Sequence, residues 1–471
     1  MTVSHSPHSA QSNNHRTAEE IGRTPAGPRE LPPLGQQRAA DEPEHVDTVL
    51  ASGLRVLAVR KPGAPMVELR MTIPFGSAVA DGMHTATAEV LADTITTGTR
   101  RRDRVAIDTD LALIGGDLGT AVDPEHLSVS ASSLASGLPT LLDVLADLLT
   151  EATYADHEVQ REAARLVERL AVARTQPRVI AREALQKHRY GDHPYTREVP
   201  LPEDVERVTP EAVRALHPAA VLPRGSVLVL VGDIDPQSAL AEVEKALGDW
   251  RSDVAATELP PLPALEGGDV LLVPRAGAVQ SQIRLSAQGL PRTHERYPAL
   301  QLANLTFGGY FSSRLVENIR EDKGYTYGAH SGFEFTDGAA TVQVDADTAS
   351  DVTAAALLET RYELGRLGLV PPTEAEVESV RQYATGALLI GSASQAGLAN
   401  QLIGLASVGL GLDWLRGQPG RLAAVTTEQV AEAALEFFAP TRFTGVIVGD
   451  ADLLGPQLEA LGGVRIADRQ L

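Results

Sequence analysis

The chain contains no cysteine, which removes disulfides, thiolate metal sites and thiol nucleophiles together. No apolar run approaches the roughly 18–20 residues that span a bilayer, so a membrane-embedded helix is not expected. A basic surplus is missing too. The formal net charge is −21, which disfavours nucleic acid as a partner and suits basic peptides better. Lysine supplies only four of the 41 basic residues. The tight arginine run Arg100, Arg101, Arg102 and Arg104 reads as a solvated helix end or loop rather than a phosphate site.

Common catalytic signatures are absent as well. There is no G-x-S-x-G elbow, no phosphate-binding loop, no G-x-G-x-x-G, and neither H-E-x-x-H nor H-x-x-E-H. The close histidine pairs, His5/His8 and His188/His193, do not form the two-histidine helical face that a zinc site uses.

What is present is a duplication. Val229-Leu230-Val231-Gly232-Asp233-Ile234-Asp235 is echoed 217 residues later by Val446-Ile447-Val448-Gly449-Asp450-Ala451-Asp452. Alternating strand patterns around Val67–Ile73 and Gln282–Leu285 open the two halves. Between them lies a Pro- and Gly-rich stretch, Glu258-Leu259-Pro260-Pro261-Leu262-Pro263 to Gly267-Gly268. The expected organisation is a disordered arm over 1–45, a first domain over 46–250, a linker over 251–268 and a second domain over 269–471. The arm has no apolar segment of signal-peptide type, and a cytoplasmic location is expected.

Strand patterns over Asp47–Val59 and Met66–Phe75 precede a helix near Ala86–Thr96, a hairpin from Gly115 to Ser130 and long helices from Ser136 to Arg174. In the second half, Asp337-Gly338 is expected to turn a hairpin. Long helices against antiparallel-leaning strands predict an α+β class with two homologous halves, each a mostly antiparallel sheet covered by helices.

Several segments resemble the pitrilysin/insulinase (inverted-zincin) metallopeptidases. They are Gly53-Leu54-Arg55-Val56, Phe75-Gly76-Ser77-Ala78, Thr97-Gly98-Thr99, Tyr190-Gly191-Asp192-His193-Pro194-Tyr195, Leu272-Val273-Pro274-Arg275 with Val279-Gln280-Ser281, and Phe307-Gly308-Gly309-Tyr310-Phe311-Ser312-Ser313-Arg314-Leu315. The resemblance runs from about residue 45 to the end. It implies an H-x-x-E-H helix just before the Gly98-Thr99 pair, with an acidic third zinc ligand on a later helix. Here Glu89 and Asp93 stand at the two histidine positions, Ala92 at the general base, and Arg169 at the third ligand, seven residues beyond Glu162.

A cation at the ligand position and a methyl group at the base imply that this chain binds no zinc. Glu89 and Asp93, four apart on one helical face, are left as a solvated pair, as partners of Arg169, or as ligands of a harder ion. The resemblance also implies that Arg320 and Tyr327 reach across to a catalytic half and donate hydrogen bonds to substrate; on pattern alone they are a surface cation and a half-buried strand aromatic.

The expected function is therefore that of a non-catalytic subunit. It would pair with a homologous zinc-bearing peptidase subunit, close like a clam around an unfolded peptide, and leave the zinc to the partner. A purely structural core-protein-like subunit, and a self-sufficient hydrolase with a non-zinc ion at Glu89/Asp93, are the alternatives.

Overall fold

The computed structural model describes residues 42–77, 81–336 and 338–467, together with Glu19, Gly22 and Arg23. Two compact units result, Met1–Glu42 and Pro43–Leu471, and everything below concerns the second. Most of the expected N-terminal arm lies outside the described residues, as do Ala78 and Asp337.

The first half runs β1 (His45–Val49), β2 (Arg55–Arg60), β3 (Met66–Pro74), α1 (Gly82–Thr94), α2 (Arg104–Leu113), β4 (Asp117–Val122) and β5 (His126–Leu134). It continues with α3 (Leu138–Glu151), α4 (Asp156–Ala173), α5 (Pro177–Tyr190), α6 (Pro202–Val205), α7 (Pro210–Ala220), β6 (Val227–Gly232) and α8 (Pro236–Leu247). The second half runs β7 (Val270–Pro274), β8 (Gln280–Gln288), α9 (Tyr297–Asn304), α10 (Arg314–Val316), β9 (Thr326–Thr336), β10 (Ala339–Ala349) and α11 (Thr353–Leu369). It ends with α12 (Glu374–Gly391), α13 (Gln395–Ala406), α14 (Leu412–Ala423), α15 (Thr427–Phe437), β11 (Thr444–Gly449), α16 (Ala451–Leu461) and β12 (Val464–Ile466).

Each half builds a six-stranded mixed sheet, ordered β1-β2-β6-β3-β5-β4 and β12-β7-β11-β8-β10-β9. Most neighbours are antiparallel; β2 with β6, β7 with β11 and β7 with β12 are parallel. The α+β expectation is met. The sequence pattern over Asp47–Val59 is two strands rather than one. Gly53, at φ +90°, turns the chain back between them, and a Cβ there would lie 3.0 Å from the backbone of Arg224.

The strand chemistry explains the layers. In β3, Val67, Leu69, Met71 and Ile73 point into the first core, while Glu68, Arg70 and Thr72 face the opposite way. β6 is buried at every position, as a central strand covered on both faces must be. The repeat is visible in side-chain detail: Arg70 and Arg284 each donate to the preceding carbonyl and to one across the sheet, on Ala131 and Ala346.

The second covering layer is exchanged between halves. From the first half, α5 sets Ala181, Ala184 and Leu185 against Val273, Val446 and Val448 of the second sheet. From the second half, α13 and α14 set Leu398, Leu402, Leu405 and Leu415 against Leu57, Val59, Val227, Val229 and Val231 of the first sheet. The two histidines without a metal face serve this arrangement. His188 bonds Thr444 Oγ1 at 2.8 Å, and His193 bonds the linker carbonyl of Pro260 at 2.9 Å.

Where the outer face of the second sheet is polar, α5 answers with charge. Arg189, whose side chain is 1% exposed, pairs with Glu334 at 2.7 Å and donates to Ser286 and Thr341. Such a pair is costly to break, because removal of one partner strands a buried charge.

Two outcomes follow from the exchange. Leu402→Ala empties a fully buried site and should cost about 2–5 kcal/mol in urea-unfolding experiments. A fragment ending at Trp250 leaves the outer face of β2 and β6 bare, so it should aggregate when expressed alone and become soluble when co-expressed with residues 251–471.

Candidate functional site

Helix α1 starts where the Asp81 side chain accepts from the Met83 N–H, and its apolar positions Ala86, Val90 and Leu91 pack into the first core. That packing fixes which face Glu89, Ala92 and Asp93 present. Ala92 is 2% exposed, and its carbonyl accepts from the Thr120 hydroxyl of edge strand β4 at 2.6 Å. Helix α4 lies alongside α1, and Arg169 reaches from it to Asp93 at 2.5 Å. Arg169 is 55% exposed, so this pair contributes at most about 1 kcal/mol.

The carboxylates here are poorly compensated. Burial is the main force raising the Glu89 carboxyl to about 7; Asp93 and Glu198 push the same way and Arg169 opposes. Burial likewise raises Asp93, against the pull of Arg169.

 Glu198 is itself raised by burial, and its partner is Arg182 of α5. Glu162 is engaged elsewhere, accepting from Arg104 at 3.1 Å and from Arg165 at 3.3 Å.

Zinc prefers three or four convergent nitrogen, sulfur or carboxylate donors at about 2.0–2.3 Å. The residues at the four positions are two carboxylates, a buried methyl group and a guanidinium already bonded to one of those carboxylates, a set that does not fit the ion. Among the described residues, no group of three carboxylate or imidazole atoms within 4.8 Å of one another includes Glu89 or Asp93. One such group, Asp123, Glu125 and His126, closes the β4–β5 hairpin, where Asp123 Oδ1 accepts the backbone N–H of the other two.

The arginine run is the expected loop and helix start, with Arg100 and Arg101 77% and 54% exposed, but it is also paired with carboxylates. Arg101 and Arg102 both bond Asp143 and the buried Asp147 of α3, Arg100 pairs with Glu151, and Arg104 bridges Glu158 and Glu162 of α4. The carboxylates lie one helical turn apart on two successive helices, a spacing that becomes informative only once those helices are packed against the run.

In the second half, Arg320 lies in a wide helical turn over Glu317–Asp322, and Gly324 at φ +63° reverses the chain into β9. Its guanidinium sits 4.6 Å from the ring centroid of Phe311. Tyr327 is 98% exposed, not half-buried as a strand aromatic would be. The pairing of β9 with β10 slips between Ala346 and Thr348, and this bulge at the sheet edge turns Tyr327 outward. Thr326 holds the bulge by donating to the carbonyl of Asp347 at 2.6 Å. Phe311 lies within the Phe307–Leu315 motif, yet its contact with Arg320 has no signal in sequence spacing.

The comparisons agree with this architecture. The family model described as "Insulinase (Peptidase family M16)" matches residues 55–203, and "Peptidase M16 inactive domain" matches residues 207–383. Among curated proteins, an uncharacterized zinc protease of Mycobacterium leprae is 25% identical over 309 residues, 65% of this chain and 69% of its own length. One from Streptomyces coelicolor is 26% identical over 60% of this chain and 63% of its own. The mitochondrial-processing peptidase subunit beta of Caenorhabditis elegans is 22% identical over 61% and 65%. A solved peptidase M16 inactive domain from Pseudomonas fluorescens superposes with a TM-score of 0.77 at 23% identity, covering 86% of this chain and 98% of that one. With both halves matched in order, the chain belongs to the insulinase (M16) peptidase family.

The raised Glu89 carboxyl has a signed consequence. Its folded value lies above its unfolded one, so the fold loses stability progressively as pH rises from about 4.5 to about 7. Glu89→Gln should therefore be more stable than the parent by about 2 kcal/mol at about pH 8, with the difference vanishing below about pH 4 in parallel urea titrations.

Proposed function

We propose that this chain is the non-catalytic subunit of a heterodimeric zinc metallopeptidase that processes peptides or leader segments. The observation that carries this reading is the Arg169–Asp93 ion pair, which joins the third-ligand position to a histidine position. A base is missing as well, since Ala92 stands where the carboxylate would be.

In this reading the chain binds no metal, and a homologous partner subunit holds the zinc that supplies hydrolysis. The two close like halves of a clam around an unfolded peptide. Their soluble, metal-free contribution from this side is binding and orientation: β4 and β9 are sheet edges to which an extended peptide can add as a strand. Arg320 and Tyr327 are donor groups beside β9, suited to a peptide carbonyl as negative charge develops on it. The net charge of −21 favours basic substrates over acidic ones. With no helix among the described residues long and apolar enough to cross a membrane, a cytoplasmic site of action fits the proposal.

The test is cleavage of an unstructured peptide by this chain, by a zinc-bearing homologue, and by their mixture. Activity should appear only in the mixture. There, Arg320→Ala or Tyr327→Phe should lower kcat by an amount equal to about 2.7–4 kcal/mol. Unchanged rates in both variants would reduce the chain to a structural subunit. Chelator-sensitive cleavage by this chain alone would instead make it a self-sufficient hydrolase.

A further inference from the structure

An arginine that is to donate to substrate must be held in place without spending its N–H groups. Other arginines of the second half do spend theirs. Arg314 donates through Nε and Nη2 to Glu376 and through Nη1 to the Val370 carbonyl. Arg284 is tied to two carbonyls and to Asp347. Arg320 is the contrast: its carboxylate neighbour, Glu321, lies 3.5 Å from Nε, beyond good hydrogen-bonding range.

What holds Arg320 is the Phe311 ring, 4.6 Å below the guanidinium carbon. A cation–π contact engages the flat face of the ion and leaves its in-plane donors free. Phe311 is an unusual residue to find at a surface, with 60% of its area exposed. The local chain places it there. Gly308 and Gly309 let the wide turn over Leu305–Gly309 approach β9 and α9: a Cβ on Gly308 would come within 2.8 Å of Ser331, and one on Gly309 within 2.9 Å of Asn304. The chain then extends at Tyr310, whose ring packs on Tyr383 of α12 at 5.0 Å, and delivers Phe311 beneath Arg320.

We propose that Phe311 is a positioning residue for Arg320. It sets the plane of the guanidinium while leaving the donor edge open to a peptide carbonyl. This rests on the role given to Arg320 above. It adds a residue that touches no reacting atom and whose effect passes through Arg320 alone.

The experiment is steady-state kinetics of the assembled complex with its zinc-bearing partner, using an unstructured reporter peptide. Phe311→Leu keeps an apolar side chain but removes the π face, and should lower kcat about fivefold with KM nearly unchanged. Phe311→Tyr and Phe311→Trp should retain parental kcat. In the Arg320→Ala background, Phe311→Leu should have no further effect, because the two substitutions remove one function. Thermal unfolding of each purified variant controls for folding, which an exposed site should leave unchanged.

Full activity of Phe311→Leu alongside a strong loss in Arg320→Ala would overturn the inference and leave the role of Arg320 standing. So would additive losses in the double variant, which would give Phe311 a role of its own. No loss in Arg320→Ala would overturn the underlying reading, and the inference with it.

Discussion

Reciprocal exchange of one helical layer is the constraint on which the rest of this molecule depends. Each sheet has one face covered by helices of its own half and the other by helices of the opposite half. Burial of Leu57, Val59, Val227, Val229 and Val231 is thus not available to the first half by itself. The same holds for Val273, Val446 and Val448 in the second. A duplicated chain of this kind behaves as one cooperative body, and its linker spans a joint that is locked from both sides.

That lock gives the two functional regions different characters. The α1–α4 region is interior scaffold: Ala92 is buried, Asp93 is paired, and neighbouring acids are saturated by the arginine run. Its residual strain is electrostatic, concentrated in Glu89 and Glu198, both raised by burial. The Arg320–Tyr327 region is the reverse. It presents an exposed phenol on a bulge and a cation stacked on an exposed ring, arrangements that stability alone does not favour. Proteins tolerate such exposure where a surface meets something else.

Much of this was legible beforehand. The echo between Val229–Asp235 and Val446–Asp452 marks β6 and β11, the equivalent central strands of the two sheets. Alternation in β3 names its core-facing residues, because a half-buried strand has a period of two. Glu89 and Asp93 share a face for the equally local reason that a helix turns every 3.6 residues. The errors were at longer range. The carboxylate partners of the arginine run went unread because Asp143, Asp147, Glu158 and Glu162 are tens of residues away in sequence. Tyr327 looked half-buried because a bulge depends on the partner strand as much as on its own residues.

By itself, then, the sequence determined the class of fold, the duplication, the strand faces and the chemical identity of the residues at each position of the altered site. These are set by local periodicity, turn chemistry and side-chain type. Tertiary structure alone decided that α5 and α13 cross to the opposite sheet, which of the open readings of Asp93 holds, and that Phe311 comes to lie beneath Arg320. Those contacts join segments of a packed chain whose separation in sequence carries no record of their distance in space.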